Sequence, residues 1–257
     1  MEFRKIFDTI PEQFDAYRPR YCPELFSYLI SQVPITPDKS VLEIGPGTGQ
    51  ATDPILQTGC DYHAIELGEH LAAVMERKYS QYSNFHLIQD DFITHDFGEK
   101  TFDFIYSAAT IQWIPEEVAF SKTFALLKPG GILAMMFTLS DYKTPNPQLY
   151  QKIQDVYSQY FKPDIPYTLG SFCYENALKY GYTDWEQREF HGRREMTAET
   201  YAGLCQTHCD HLVIPEPYQS KFFEGIKQAV LDAGNHIVFY DTFVLMTVKK
   251  DISKINP

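Results

Sequence analysis

The sequence predicts an α/β protein: a doubly wound, mostly parallel sheet of seven strands, with a helical segment before it and a helical lid inserted into it. Three observations support this prediction. From Ser40 onward, short apolar runs alternate with helical patterns, an order typical of parallel strands joined by right-handed crossovers. A glycine-rich turn follows the first apolar run. The run Ile237–Val248 is long and rich in β-branched and aromatic residues, which indicates a final strand.

The elements of the central region follow from hydrophobic periodicity. Before it, an apolar stripe over residues 11–33 is interrupted at Pro19 and Pro23, which predicts a short helix, a bend and a second helix. The first five strands are predicted at 41–45, 62–66, 85–88, 102–106 and 132–137, and the helices between them at 50–57, 69–79 and 116–127.

The second half of the chain departs from this rhythm. Residues 141–180 are rich in Tyr, Pro and Gln and predict a helical insertion over the carboxyl edge of the sheet, and Trp185–Phe190 predicts a sixth strand. Thr197 is predicted to cap a helix that reaches Cys209, and a later helix is expected to end at Gly234. We therefore expect one domain, 1–257, made of an N-terminal helical cap (1–39), a core (40–138), an insertion with one strand (139–235) and a last strand (236–250).

The composition restricts the classes of partner. The formal net charge is −12, from 34 acidic and 22 basic residues, and this balance argues against a nucleic-acid backbone as the partner. A local basic patch stays open, and the arginines at 188, 193 and 194 are the nearest candidate, although interspersed glutamates dilute their charge. The longest strongly apolar stretch, Ile132–Phe137, is too short to cross a bilayer, and the amino terminus lacks the apolar run of a signal peptide. Five scattered cysteines indicate reduced thiols, so we expect a cytoplasmic protein without a membrane partner.

The strongest chemical signal is the segment Glu43-Ile44-Gly45-Pro46-Gly47-Thr48-Gly49, between a predicted strand and a helix. Glycines at this spacing allow a sharp turn and the close approach of a ligand. Glu66 closes the second strand, where a carboxylate can accept hydrogen bonds from ribose hydroxyls. Because dinucleotide-binding enzymes use a related glycine pattern, the motif alone leaves a nicotinamide-dependent oxidoreductase open.

Five segments in order sharpen the interpretation. They are Val-Leu-Glu-Ile-Gly-Pro-Gly-Thr-Gly, Ala-Ile-Glu, Gln-Asp-Asp-Phe, Phe-Asp-Phe-Ile-Tyr-Ser and Leu-Leu-Lys-Pro-Gly-Gly, within residues 40–138. As a set they resemble the class I S-adenosylmethionine-dependent methyltransferases, whose sheet is Rossmann-like. Residues 14–21 and 109–114 resemble the small-molecule branch that contains trans-aconitate-type methyltransferases. This chain has Gln112 and Ile114 where that branch more often has His and Phe, which leaves the substrate open.

The resemblance implies roles for particular residues. Gly45, Gly47 and Gly49 would pass under the methionine portion and the ribose, with Glu43 close to the ammonium group and Glu66 on the ribose diol. Asp91, or Asp90 in the adjacent register, would accept from the adenine amino group, and the Phe92 amide would face a ring nitrogen. Ser107, just after the fourth strand, would offer its carbonyl to the ammonium group. Pro46 and Leu67 complete the cofactor-binding set that the resemblance implies.

The implied reaction is in-line displacement at the methyl carbon of S-adenosylmethionine by a small-molecule acceptor. Such a transfer needs alignment and exclusion of water more than covalent chemistry, so no catalytic residue is assigned; if the acceptor needs a base, His208 is the candidate. The predicted substrate residues are Tyr17, Tyr21, Gln112, Trp113 and His208. Tyr17 and Tyr21, with Arg18, could instead only hold the N-terminal helix in place.

Two further alternatives stay open at this point. Cys205, His208 and Cys209 would share one face of a helix, but structural zinc sites gather two separated ligand pairs, so no metal is expected. A protein that binds S-adenosylmethionine without turning it over would carry the same cofactor motif.

Overall fold

The computed structural model describes residues 3–165 and 172–251. The strands in this part of the chain are β1 Ser40–Ile44, β2 Asp61–Glu66, β3 Phe85–Gln89, β4 Phe102–Ala108, β5 Leu127–Asp141, β6 Tyr182–Met196 and β7 Ile237–Lys250. The α-helices are α1 Pro11–Tyr17, α2 Pro23–Gln32, α3 Thr52–Leu56, α4 Glu69–Tyr79, α5 Glu116–Leu126, α6 Pro147–Tyr160, α7 Ala198–Cys205, α8 Cys209–Leu212 and α9 Tyr218–Leu231. Short 3₁₀-helices cover Phe3–Thr9, Ile111–Trp113 and Tyr174–Tyr180.

The strands form one sheet in the order β3-β2-β1-β4-β5-β7-β6. The pairs β1–β2, β2–β3, β1–β4 and β4–β5 are parallel. The last strand runs antiparallel to β5, because Lys250 contacts Leu127 at one end and Asp241 contacts Ser140 at the other. The predicted doubly wound, mostly parallel sheet of seven strands is therefore confirmed. Its strand order reverses between β1 and β4, and ligands of such sheets bind beside this point at the carboxyl ends of the strands.

The chain divides into two compact units, which we call the core unit and the helical unit. The core unit comprises Arg20–Thr138, Leu169–Phe190 and Phe243–Pro257, and the helical unit comprises Met1–Pro19, Leu139–Thr168 and His191–Thr242. Every residue of the predicted cofactor-binding set lies in the core unit.

The core unit has an apolar layer on each face of the sheet. Successive residues of a strand point to opposite faces, so Val41 joins one layer and Leu42 the other. The same alternation separates Leu133 from Ala134 on β5. Burial on both faces explains why β1, β4 and β5 read as nearly continuous apolar runs in the sequence.

The helical unit has its own apolar core. Leu149 and Ile153 of α6 pack with Phe222 and Ile226 of α9, and all four side chains are buried. Helix α1 packs against α7, where the ring of Tyr17 lies over Gly203. These contacts give α6, α7 and α9 a common apolar core.

The predicted helix from Thr197 begins correctly but is shorter than predicted. The Thr197 hydroxyl accepts a hydrogen bond from the Thr200 amide and caps α7. The helix ends at Cys205 instead of Cys209, because both the hydroxyl and the amide of Thr207 donate to the carbonyl of Leu204, at 2.6 and 2.9 Å. His208 is then extended, and α8 starts at the next residue.

Strands β5 and β6 differ most from their predicted bounds. Strand β5 covers Leu127–Asp141 rather than 132–137, and its pairing with β4 is irregular between Phe102 and Phe104. Strand β6 covers Tyr182–Met196 rather than 185–190. It lies at the edge of the sheet and carries mostly charged and polar residues, so its apolar alternation is weak. No helix in the described part of the chain is long and apolar enough to cross a membrane.

The contact between Tyr17 and Gly203 gives a stability prediction. A Cβ at Gly203 would lie 2.5 Å from the Tyr17 ring, so Gly203→Ala should lower the free energy of unfolding by about 1–3 kcal/mol through overpacking. In a Tyr17→Ala background the same change should instead raise it by up to ~1 kcal/mol, because alanine favours the helix. Denaturant unfolding of the four proteins measures this coupling. Equal effects of Gly203→Ala in both backgrounds would show that the two residues do not touch.

Candidate functional site

The turn after β1 is built on glycines that adopt left-handed backbone conformations. Gly45, Gly47 and Gly49 have φ values of 64°, 61° and 92°. The Gly45 amide donates to Ile65 at 2.9 Å, and the Gly49 amide donates to Pro46 at 2.9 Å, which closes the turn. A Cβ at Gly45 would lie 2.2 Å from Thr110, so this position has no room for a side chain.

Glu66 joins this turn to the end of β2. One oxygen of its carboxylate accepts the Gly47 amide at 2.9 Å, and the other accepts the Gly68 amide at 2.9 Å. The side chain is almost completely buried. Since each carboxylate oxygen has more than one lone pair, the same group can also accept from a pair of hydroxyls. Leu67, the next residue, is half-buried and its carbonyl accepts from Gln89 at 3.3 Å.

Glu43 lies inside the protein beneath the glycine turn, and its exposed fraction is zero. One carboxylate oxygen accepts from the Thr52 hydroxyl at 2.6 Å and from the Tyr62 hydroxyl. The other has no hydrogen-bond partner among the described residues. Burial raises the pKa of this carboxyl to about 7, because the charged form loses its hydration. An added positive charge nearby would favour ionisation of Glu43.

The two aspartates after β3 have different surroundings. The Asp90 carboxylate pairs with the His95 ring at 2.8 Å, and this hydrogen bond holds the pKa of Asp90 below its usual value. Asp91 accepts the Ile93 amide at 2.9 Å and begins the following turn. The Phe92 side chain is buried, and the Lys122 ammonium lies 5.1 Å from its ring centre. The Asp90 carboxylate is thus already paired with His95, and Asp91 and Phe92 follow it after the end of β3.

Ser107 lies within β4, which continues to Ala108; the sequence placed Ser107 just after the strand. Its hydroxyl donates to the Ile44 carbonyl at 3.2 Å and ties β4 to β1. Ala109 and Thr110, which follow β4, were not among the predicted site residues. Ala109 is exposed with a φ of 54°, a strained conformation for a residue with a Cβ, and the Thr110 hydroxyl donates to the Gly45 carbonyl at 2.9 Å. Their position directly after β4, beside the switch in strand order, is the signal that could have identified them.

The predicted substrate residues fall into both units. Tyr21, Gln112 and Trp113 lie in the core unit, and Tyr17 and His208 in the helical unit. The Tyr21 hydroxyl donates to the Met136 carbonyl at 3.4 Å. The Gln112 amide donates to the Ala109 carbonyl at 3.0 Å, so Gln112 adjoins the strained residue.

In the helical unit His208 belongs to a partly cationic cluster with Arg18 and His211. Burial, with a contribution from the Arg18 charge, lowers the pKa of His208 well below its usual value, so its ring is neutral near pH 7. The His211 ring is held at both nitrogens, by the Cys205 carbonyl at 2.8 Å and the Tyr157 hydroxyl at 2.9 Å. His208 therefore has the protonation state that a general base needs.

The cysteines considered with His208 as metal ligands do not share a helix face, because α7 ends at Cys205 and α8 begins at Cys209. Burial raises the pKa of the Cys205 thiol to about 12, so it stays protonated rather than becoming a thiolate ligand. His208 instead approaches Asp210 and His211.

Comparison with known proteins agrees with this geometry. A family model described as a methyltransferase domain matches residues 42–135, the segment that contains the glycine turn, Glu66 and Asp91. The chain is 26% identical over 148 residues to the malonyl-[acyl-carrier protein] O-methyltransferase of Marinomonas sp. (strain MWYL1), a match that covers 56% of this chain and 54% of that protein. It is 30% identical over 96 residues to the ribosomal RNA small subunit methyltransferase A of Pseudomonas putida, covering 37% of this chain and 36% of that protein. The chain therefore spans about half or less of the length of these relatives.

A solved structure shows the same fold. The phosphoethanolamine N-methyltransferase 2 of Haemonchus contortus, in complex with S-adenosyl-L-methionine, is 17% identical with a TM-score of 0.55, covering 95% of this chain and 57% of that one. The fold and the matched segment together define the class: residues 42–135 match a methyltransferase domain, and the sheet that contains them is the Rossmann-like α/β fold of methyltransferases.

The tight space at Gly45 gives a prediction with a matched control. Gly45 and Gly98 have similar φ values, 64° and 59°, but a Cβ at Gly98 would meet no atom within 4 Å. Gly98→Ala should therefore lower the free energy of unfolding only by the left-handed backbone penalty of about 1–2 kcal/mol. Gly45→Ala should lower it by roughly 1–3 kcal/mol more, because the new Cβ overlaps Thr110. Urea unfolding of both variants tests this, and equal losses would contradict the geometry.

The buried carboxyl of Glu43 predicts a pH dependence of stability. Its pKa is raised from 4.5 to about 7 on folding, so the folded chain holds this proton more tightly than the unfolded chain. The resulting stabilisation is present below pH 4.5 and is lost as the pH rises through about 7. Relative to Glu43→Gln, the wild type should therefore lose about 3 kcal/mol in free energy of unfolding between roughly pH 5 and 8. A difference that stays constant over this range would show that Glu43 is already ionised at low pH.

Proposed function

We propose that this protein transfers a methyl group from S-adenosylmethionine to a small-molecule acceptor. The observation that carries the proposal is the Glu66 carboxylate, held between the Gly47 and Gly68 amides at the carboxyl end of β2. A carboxylate fixed at this point of a doubly wound sheet suits the two hydroxyls of a ribose. The family match of the same segment supports the methyl donor.

The residues of the turn suit the rest of the cofactor. Gly45, Gly47 and Gly49 turn the chain through left-handed conformations and carry no side chains of their own, and the methionine portion and the ribose are proposed to lie against this backbone. Asp91 is proposed to accept from the adenine amino group, with the Phe92 amide facing a ring nitrogen. The Ser107 carbonyl is proposed to accept from the methionine ammonium, beside Pro46 and Leu67.

Glu43 is proposed to act on the ligand through its charge rather than by direct contact, because its side chain is fully buried. Its unpartnered oxygen and raised pKa make ionisation costly in the isolated protein. A ligand that carries an ammonium and a sulfonium would lower this cost by Coulomb attraction. Glu43 is in this proposal a positioning residue that favours a cationic ligand.

The bound cofactor supplies an activated methyl group on a sulfonium that leaves readily. The protein has to align the acceptor with this methyl group and exclude water. Tyr17, Tyr21, Gln112, Trp113 and His208 remain the proposed substrate residues. For an acceptor that must lose a proton, the neutral ring of His208 is the proposed base.

A small molecule is the proposed acceptor because the chain is acidic, with a net charge of −12, and lacks the basic footprint that nucleic acid requires. The names of the similar proteins differ in substrate, from an acyl-carrier protein to ribosomal RNA and phosphoethanolamine, so similarity does not select one. All five cysteines are free thiols, which supports a reducing, cytoplasmic location.

The acceptor can be identified by incubating the protein with isotope-labelled cofactor and a metabolite extract, followed by mass analysis. Label found only in RNA would overturn the proposal of a small-molecule acceptor.

Glu66 gives the direct test of the cofactor site. Glu66→Ala should weaken binding of S-adenosylhomocysteine at least tenfold, because the ribose hydroxyls lose their acceptor, whereas Glu66→Gln should lose less. The control is Glu69→Gln, which removes one exposed carboxylate from the first turn of α4. Titration calorimetry on folded protein measures the affinities of the wild type and the three variants. Wild-type affinity in Glu66→Ala would exclude the ribose contact, and the absence of binding to the wild type would overturn the proposed function.

A further inference from the structure

At the opposite end of β2, three side chains with metal-ligating atoms meet on one face of the sheet. Asp61 and His63 are two residues apart on β2, and His86 is the direct partner of His63 on β3. Side chains at i and i+2 share a face, and paired residues on neighbouring strands lie side by side. The sheet register therefore brings Asp61, His63 and His86 together.

The ligand atoms of these residues converge. The Nε2 atoms of His63 and His86 lie 2.9 and 3.2 Å from the same carboxylate oxygen of Asp61. Two ligands of a tetrahedral zinc ion, each about 2.0–2.1 Å from the metal, are separated by roughly 3.3 Å. The observed spacings are close to this value. All three ligand atoms lie within 4.8 Å of one another.

The surroundings hold the ligands in place. The Ser40 hydroxyl donates to the second oxygen of Asp61 at 3.0 Å, which fixes the carboxylate. The two imidazole rings stack at 4.7 Å with an angle of 25° between them, and His63 also packs edge-on against Phe102. Such outer contacts orient metal ligands and strengthen their binding.

The ammonium group of Lys100 already lies beside these ligand atoms. The Lys100 ammonium lies 2.6 Å from Nε2 of His63 and 3.8 Å from Asp61. Its side chain is 40% exposed, so it can move away into solvent. A divalent ion would take over the interaction of this ammonium with His63 and Asp61, and Lys100 would compete with it.

We infer that Asp61, His63 and His86 form a binding site for a divalent transition-metal ion, with zinc as the best match to two imidazoles and one carboxylate. The fourth position is left to water. Its two ligands on β2, His63 and Asp61, lie three and five residues along the strand from Glu66, about 10 and 17 Å at the rise of a strand. This separation makes it independent of the proposed methyl transfer.

The second cluster of potential ligands, His208, Asp210 and His211, is less suited to a metal. Both nitrogens of His211 are engaged by Cys205 and Tyr157, and its Nε2 is 3.9 Å from Asp210. The Arg18 charge also lies close enough to disfavour a positive charge on either histidine. The experiment must nevertheless distinguish the two clusters.

The test is titration of the full chain with zinc chloride after dialysis against a chelator, followed by calorimetry and thermal unfolding. The wild type should bind one zinc ion and unfold at a higher temperature in its presence. His86→Ala should weaken zinc binding at least tenfold; its side chain is 49% exposed, so the protein should still fold. Lys100→Met should strengthen binding several-fold, because the competing ammonium is gone.

His236→Ala is the matched control, because His236 is also 49% exposed and pairs with a carboxylate, Glu195, at 2.9 Å. It should bind zinc as the wild type does. The inference would be overturned if the wild type did not bind zinc, if His86→Ala bound zinc as tightly as the wild type, or if His236→Ala lost as much zinc affinity as His86→Ala. It would also be overturned if His208→Ala lost zinc binding while His86→Ala kept it. Binding of S-adenosylhomocysteine by His86→Ala should equal that of the wild type, which separates this site from the cofactor site.

Discussion

The candidate cofactor site depends on the two hydrogen bonds that Glu66 accepts, from the Gly47 and Gly68 amides. Parallel pairing of β1 with β2 sets Ile44 beside Ile65, so the turns that follow both strands start next to each other. Each turn leaves amide groups that no strand or helix satisfies, and burying them unpaired would cost about 1–3 kcal/mol each. One carboxylate satisfies a group in each turn. The same charge that stabilises the turns is thereby fixed at the carboxyl end of β2, where we propose that the ribose binds.

Local signals account for what the sequence predicted well. Helix α4 has the predicted bounds, because its apolar stripe is clear and Gly68 precedes its first turn. The glycine turn after β1 could be predicted because its residues are consecutive in the sequence, at the end of a strand. The early end of α7 could not be predicted, because it depends on one local hydrogen bond, from the Thr207 hydroxyl to the Leu204 carbonyl. Strand β6 was predicted too short, because an exposed edge strand carries little apolar alternation.

Features that arise from pairing between distant segments were beyond the sequence pattern. The contact of Thr110 with Gly45 joins residues 65 positions apart, and the cluster of Asp61, His63 and His86 exists only because β2 and β3 pair in one register. A one-residue slip of β3 would turn His86 to the other face. Similarly, nothing in the order of residues indicates that Glu43 is enclosed by Tyr62 and Thr52, which decides its protonation.

Strand β2 thus carries one carboxylate at each end, Glu66 and Asp61. The two differ in how firmly they are held, and this difference follows from their burial. Glu66, at the carboxyl end, is almost fully buried and satisfied by backbone amides, so its geometry is fixed before any ligand binds. Asp61, at the amino end, is partly exposed and shares its charge with side chains that can move, such as Lys100. Preorganised acceptors suit a cofactor that must be held in one orientation, because little rearrangement opposes binding. Side chains that can exchange partners suit an ion, because Lys100 can interact with Asp61 and His63 when the ion is absent.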